Sequence, residues 1–338
     1  MRLQFQFLET VNGLDNSNLQ IIPRIRQQLG EATTAPGMVM ISLSAVALGA
    51  AFGGYLPLIS LWMETFNISF QKIGIVCGAS AVGVVSSAYY APKLAARYGY
   101  ITTINVGLVV AAIMTVAFRF TDNYGLWLAL RFVSGLGLGL HWVLTEAWLA
   151  NIVTEKYRTR VMAIYATAIS IGFAVGPMVI WLFGALSIIP FIIMGALLIL
   201  AALPILRLKG HEPKDSQTRS ASPLILIKKA PTVASACIVV GSVDLALISL
   251  LPAMITRTPE AAPILALIIV PAMAIGATIL QYPIAIIADK HGLRKVGVMT
   301  VCAGLIFASL IPFFLGSVLL TLLFGFLAAG LVYGLYSI

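Results

Sequence analysis

Ten apolar stretches of roughly 20 residues each, separated by short polar turns, set the limits on what this chain can become. Their cores lie at 38–62, 73–96, 101–119, 124–150, 161–183, 186–206, 231–255, 262–287, 296–314 and 317–338. In water so much apolar surface could not be hidden. Of the 338 residues, 60% are hydrophobic and 10% charged, against about 25% charged in a soluble domain. In hydrocarbon a segment must satisfy its own backbone hydrogen bonds, so each stretch is expected to be an α-helix long enough to cross a bilayer. The expected class is all-α, a polytopic membrane protein.

The formal charge of +9 would suit a nucleic acid if the cations formed a patch. Instead they fall in short clusters between the apolar runs. With a cytoplasmic N-terminus, 17 of the 21 Lys and Arg residues lie on the cytoplasmic side; Lys72, Arg119 and Arg257 lie on the other side and Arg131 lies within a span. That bias orients the chain as a multi-pass protein of a bacterial inner membrane. Cys77, Cys237 and Cys302 sit far apart in apolar runs, which argues against a disulfide framework or a metal site and for simple helix packing. The first 36 residues are mixed and polar, without the basic, apolar and small-residue order of a secretory signal.

The organisation expected is a cytoplasmic tail over 1–36, a six-helix bundle over 37–206, a cytoplasmic linker over 207–229 and a partial, four-helix bundle over 230–338. The linker, RLKGHEPKDSQTRSASPLILIKK, is the one long polar stretch after the tail. An internal repeat supports the division. Leu94-Ala95-Ala96-Arg97-Tyr98-Gly99 lines up with Ile287-Ala288-Asp289-Lys290-His291-Gly292, two helices into each part. Two parallel repeats related by an axis along the membrane normal are a transporter architecture.

The fourth stretch carries Arg131, Gly135, Gly139, Trp142 and Glu146. At about 100° per residue they fall in one stripe of the helix. A charge inside the membrane costs roughly 2.5 kcal/mol or more unless it faces a cavity or a partner, which makes Arg131 and Glu146 functional candidates. Arg131 could instead snorkel to the interface, and Glu146 could bridge to Arg158 or Arg160. His141 has the right intrinsic range for proton transfer and equally the chemistry of a hydrogen-bonded packing residue. Asp244, in the seventh stretch, is a candidate for coupling; its alternative is a protonated carboxyl bonded to a neighbouring helix. Gly172, Gly176 and Pro177 permit close packing followed by a bend, and Pro252, Pro271 and Pro283 are further candidate kinks.

These features together resemble the major facilitator superfamily from residue 37 onward. Its cytoplasmic loop signature is matched by Asp289, Lys290, Gly292, Arg294 and Lys295, with Ala285 in place of the first glycine; in the first copy only Arg97 and Gly99 persist, beside Pro92, Ala96 and Ile101-Thr102. The resemblance implies a conformational gating loop. Arg131 with its following glycines is similar to the family's fourth-helix pattern. Gly172, Gly176 and Pro177 resemble a fifth-helix motif associated with antiporters, which points toward efflux. Thr145-Glu146-Ala147-Trp148-Leu149 followed by Arg158, Arg160 and Tyr165 looks like the YcaD-like branch.

The expected function is secondary active transport of a small solute by alternating access, coupled to protons, with Arg131, His141, Glu146 and Asp244 on the substrate and proton pathway. The partners expected are the lipid bilayer, a small-molecule substrate and protons, with no nucleic acid. No nucleotide-binding loop, metal-ligand pair or nucleophilic triad appears in the sequence, so no cofactor and no enzyme activity are expected. The family implies twelve helices, so ten suggest a C-terminally truncated product. The alternative expectation is a non-transporting membrane sensor or assembly factor derived from a transporter fragment.

Overall fold

The computed structural model describes residues 36–153, 155–213 and 231–333. Within them lie ten long helices: α1 (Pro36–Glu64), α2 (Phe70–Tyr98), α3 (Tyr100–Ala117), α4 (Tyr124–Ile152), α5 (Glu155–Phe183), α6 (Ile189–Leu206), α7 (Pro231–Arg257), α8 (Leu265–His291), α9 (Leu293–Leu310) and α10 (Val318–Tyr333). Among the described residues there is no strand. Nine of the helices are long and apolar enough to cross a membrane, and the tenth contributes a shorter apolar span, Val318–Val332. Among the described residues, six of these long helices precede residue 207 in chain order and four follow residue 230. Of that linker, residues 214–229 lie outside the described residues, as do tail residues 1–35.

The repeat extends well beyond the loop that reveals it in sequence. Helices α1 and α7 end at Glu64 and Arg257, α2 and α8 at Tyr98 and His291, and α3 and α9 run from Tyr100 to Ala117 and from Leu293 to Leu310. Each boundary differs by the same 193 residues. Both α3 and α9 run on into a 3-10 turn, at Phe118 and Ile311. The joint in each copy is a glycine at positive φ, 84° at Gly99 and 92° at Gly292. Each glycine N–H closes the preceding helix, onto Ala95 and Ala288 respectively, at 2.9 Å. A side chain at that backbone angle would be strained, which is why glycine is kept at both corners.

Lipid tails are as apolar as leucine, so burial cannot drive these helices together; close van der Waals approach must. Small residues supply it. A Cβ on Gly49 or Gly53 of α1 would strike the backbone of Ile169 or Phe173 in α5, and Gly172 and Gly176 return the fit against Val46 and Ala50. Gly83 of α2 lies against Phe132 and Gly135 of α4, and its counterpart 193 residues on, Gly276 of α8, lies against Phe326 of α10. The same helix pair is thus sealed by the same device in both copies.

The two parts of the chain meet where α7 packs on α1 and α2 and where α8 packs on α5. Loops 98–100 and 291–293 and the end of α6 lie at one end of the molecule, here the linker face; α1 and α7 both finish at the other, the opposite face. Cys77 is buried beside Ser60, with 3.8 Å between sulfur and hydroxyl. Cys302 departs from the packing expected of it: it lies exposed on α9, on a face that other helices do not cover. The side chain of Cys237 is outside the described residues.

Candidate functional site

Each candidate is set by the helix that carries it. Asn123 starts α4 by accepting a hydrogen bond from the Leu126 N–H through its side chain, at 3.1 Å, the usual way to satisfy a free donor at a helix start. The indole of Trp127 then donates to the Thr121 carbonyl at 3.0 Å and stacks on Phe118, with 5.6 Å between ring centres. These contacts hold the start of α4 firmly at the opposite face, two turns before Arg131.

Arg131 is 0% exposed, so it does not snorkel. Its guanidinium lies over the Tyr55 ring of α1, 4.9 Å from the centre. That arrangement satisfies the face of the cation through the ring quadrupole and leaves the in-plane donors aside. Among the described residues no well-aligned hydrogen bond reaches the three guanidinium nitrogens, while the Tyr55 hydroxyl lies near both Arg131 and Thr115. An enclosed, planar fork of donors is matched to a planar anion.

One to two turns further on, Gly135 and Gly139 are covered by α2: a Cβ on Gly135 would meet the Ser80 carbonyl, and one on Gly139 would meet Ser87 and Val84. This part of the stripe is a seat for a neighbouring helix. Gly137, on another side of α4, seats Gly107 of α3.

His141 is also 0% exposed. Its Nε2 lies 2.8 Å from the Ser44 hydroxyl, and that hydroxyl donates to the Ala201 carbonyl at 2.7 Å. One residue therefore ties α4 to α1 and, through Ser44, to α6. Thr145, one turn later, donates to the His141 carbonyl at 2.8 Å and lies 3.0 Å from the Tyr165 hydroxyl of α5.

Glu146 is partly buried and accepts a hydrogen bond from the Trp142 indole at 2.7 Å. Trp142 meets Phe52 edge-on, and Phe52 meets Phe173 in the same way, so the carboxyl belongs to an aromatic wall shared by α1, α4 and α5. The side chains of Arg158 and Arg160, expected as its partners, lie outside the described residues. Asp244 is partly buried in α7, the helix that packs on α1. Pro177 is enclosed in α5 beside Gly176, and Pro252, Pro271 and Pro283 lie inside α7 and α8.

At the linker face Arg97, Lys290, Arg294 and Lys295 are exposed and Arg97 stacks near the Tyr98 ring; the side chain of Asp289 is outside the described residues. The ion pair found among the described residues lies at the other end, between Glu64 and Arg257. Sequence reasoning passed over this pair. Glu64 had drawn no notice, and Arg257 counted only toward orientation. The one available signal was that an acid and a base stand at equivalent positions of the repeat.

The family model for the Major Facilitator Superfamily matches residues 41–338. Among curated relatives, the uncharacterised MFS-type transporter YfkF of Bacillus subtilis is 26% identical over 273 residues, which cover 79% of this chain and 68% of that protein. The MFS-type transporter YcaD of Salmonella enteritidis is 24% identical, with 76% of this chain and 65% of that protein aligned. The chain thus spans about two thirds of these relatives' length. Among solved structures, a bacterial homologue of the human lysosomal transporter Spinster, in an inward-facing and occupied conformation, superposes with a TM-score of 0.68 at 20% identity, covering 88% of this chain and 72% of that one. The nucleoside transporter NupG superposes with a TM-score of 0.67 at 15% identity, covering 89% and 80%.

Proposed function

The chain belongs to the Major Facilitator Superfamily, a membrane transporter family, and on that premise we propose that it carries a small solute across a bacterial inner membrane by alternating access, coupled to protons. The observation that carries the reading is the pairing of two repeats, 193 residues apart, along α1 and α5 on one side and α7 and α8 on the other. Such a seam can open at either end by rocking one bundle against the other around a fixed central site.

Arg131 supplies the electrostatics of that site. Its planar fork of donors serves to hold an anionic group. Asp244 is the proton carrier in this reading: a carboxyl, partly buried, on the helix that packs across the seam. The hydrogen bond from His141 to Ser44 supports a packing role for the histidine, and the indole bond supports an anchoring role for Glu146 beside the pathway. Exposed charges at the linker face, with the orientation bias of the basic residues, suit a gating loop in the cytoplasm. The resemblance of Gly172, Gly176 and Pro177 to an antiporter motif supports export. The solved neighbours carry different cargoes by their titles, nucleosides in one and xylose in another, as expected where the fold supplies the motion and local side chains choose the solute.

The test is solute flux in proteoliposomes with an imposed pH gradient. Asp244→Asn is expected to abolish gradient-driven accumulation while leaving exchange of solute across the membrane. Gradient-driven transport unchanged in Asp244→Asn overturns the proton assignment.

A further inference from the structure

We infer that Glu64 and Arg257 are the gate that holds the pathway shut at the opposite face, and that they do so from the pseudo-two-fold axis itself; this rests on the transporter reading above. The pair joins the last residue of α1 to the last residue of α7, one from each part of the chain. Their separation is 193 residues, the offset of the structural repeat, so each occupies the place that the other holds in the other copy. Two symmetry-equivalent positions touch only when they lie near the axis that exchanges them. For parallel repeats that axis runs along the membrane normal, between the bundles. The pair therefore stands over the centre of the seam.

Arg257 grips more than one group. Besides the Glu64 carboxylate, it donates to the Ile68 carbonyl at 2.7 Å and lies over the Phe70 ring, 4.3 Å from its centre. All three belong to the end of α1, the start of α2 and the loop between them, so one guanidinium from the second bundle clamps a whole corner of the first. Among the described residues the other carboxylate oxygen of Glu64 is buried without a hydrogen bond, so the polar contact of this carboxylate there is the one to Arg257. Beneath the pair, Leu250 of α7 lies against Gly74 of α2 and packs on the aromatic cluster around Trp62 and Trp127.

An ion pair within one bundle would stabilise every conformation alike. One between bundles exists only while this end is closed, so it biases the equilibrium between states in proportion to its strength. Equivalent residues of opposite charge also explain why this corner closes without like-charge repulsion on the axis.

The test needs no known solute. In a background with Cys77, Cys237 and Cys302 replaced by serine, Leu250→Cys reports access from the opposite face through its rate of reaction with a water-soluble maleimide, on purified protein in detergent. Glu64→Gln is expected to speed labelling about fivefold and Arg257→Ala about tenfold, since the latter also loses the Ile68 bond and the ring contact. The exchanged pair, Glu64→Arg with Arg257→Glu, is expected to return the rate to near that of the parent, and it guards against simple misfolding. Rates within twofold of the parent in both single variants overturn the gate, whatever the flux assays give. Faster labelling in a protein that moves no solute keeps the gate and sinks the transporter reading.

Discussion

Ser44 and His141, 97 residues apart in sequence, share a 2.8 Å hydrogen bond whose direction is fixed by a third residue. The serine hydroxyl has one proton, and it is given to the Ala201 carbonyl. Nε2 of His141 must therefore carry a proton and donate. Nδ1 is buried and finds no hydrogen-bond partner among the described residues. This is the arrangement of a structural imidazole that pins three helices.

Ser44→Ala and His141→Ala are accordingly expected to lower the unfolding temperature of the detergent-solubilised protein, each by the equivalent of about 1 kcal/mol, the scale of interhelical hydrogen bonds in membranes. The double variant should cost little more than either single one, because the shared bond is lost once. Thermal unfolding measured by fluorescence decides this. Unchanged stability with lost transport would return His141 to the pathway.

Arg131 lies over the face of the Tyr55 ring. Tyr55→Phe should leave stability within a few tenths of the parent, whereas Tyr55→Ala should lose about 0.5–2 kcal/mol for the cation–π contact, besides the packing of the ring. Arg131→Lys keeps the charge and loses the planar fork, and solute flux is expected to fall at least about tenfold. Flux in Arg131→Lys equal to the parent would show that a point charge suffices.

Gly99 and Gly292 hold the same corner in each repeat, at φ of 84° and 92°. Alanine at either is expected to cost about 1–3 kcal/mol of backbone strain. The two penalties should be similar in denaturant titrations, since the backbone angle is shared; Gly292 has open space around it, and a Cβ on Gly99 would lie 3.3 Å from the Glu212 carboxylate.

Gly83 and Gly276 test the repeat inside the membrane. Valine at either would drive a side chain into the backbone of the partner helix, at Phe132 or Phe326, with a cost of about 1–3 kcal/mol or more for overpacking. Both variants should show reduced yield and earlier aggregation on size-exclusion chromatography. A Gly276→Val protein as stable as its parent would mean that α8 and α10 are not sealed in this way.

The sequence by itself determined that the chain is a series of long apolar membrane helices, because crossing hydrocarbon demands about 20 apolar residues in a row and that demand is met locally. It also determined the corner glycines and the repeat offset, since a positive φ and a tight helix-to-helix turn leave their mark in consecutive residues. What it did not contain was which polar groups meet. Arg131 could have snorkelled; the rotation of α4 against α1 put it over Tyr55 instead. His141 could have belonged to a relay; the crossing of α1, α4 and α6 gave it Ser44. Glu64 and Arg257 carry no local pattern at all, and became partners only because two bundles docked with one end closed. Hydropathy is a property of each segment in its solvent, but pairing depends on how rigid helices rotate and cross, and only the assembled tertiary structure decides that.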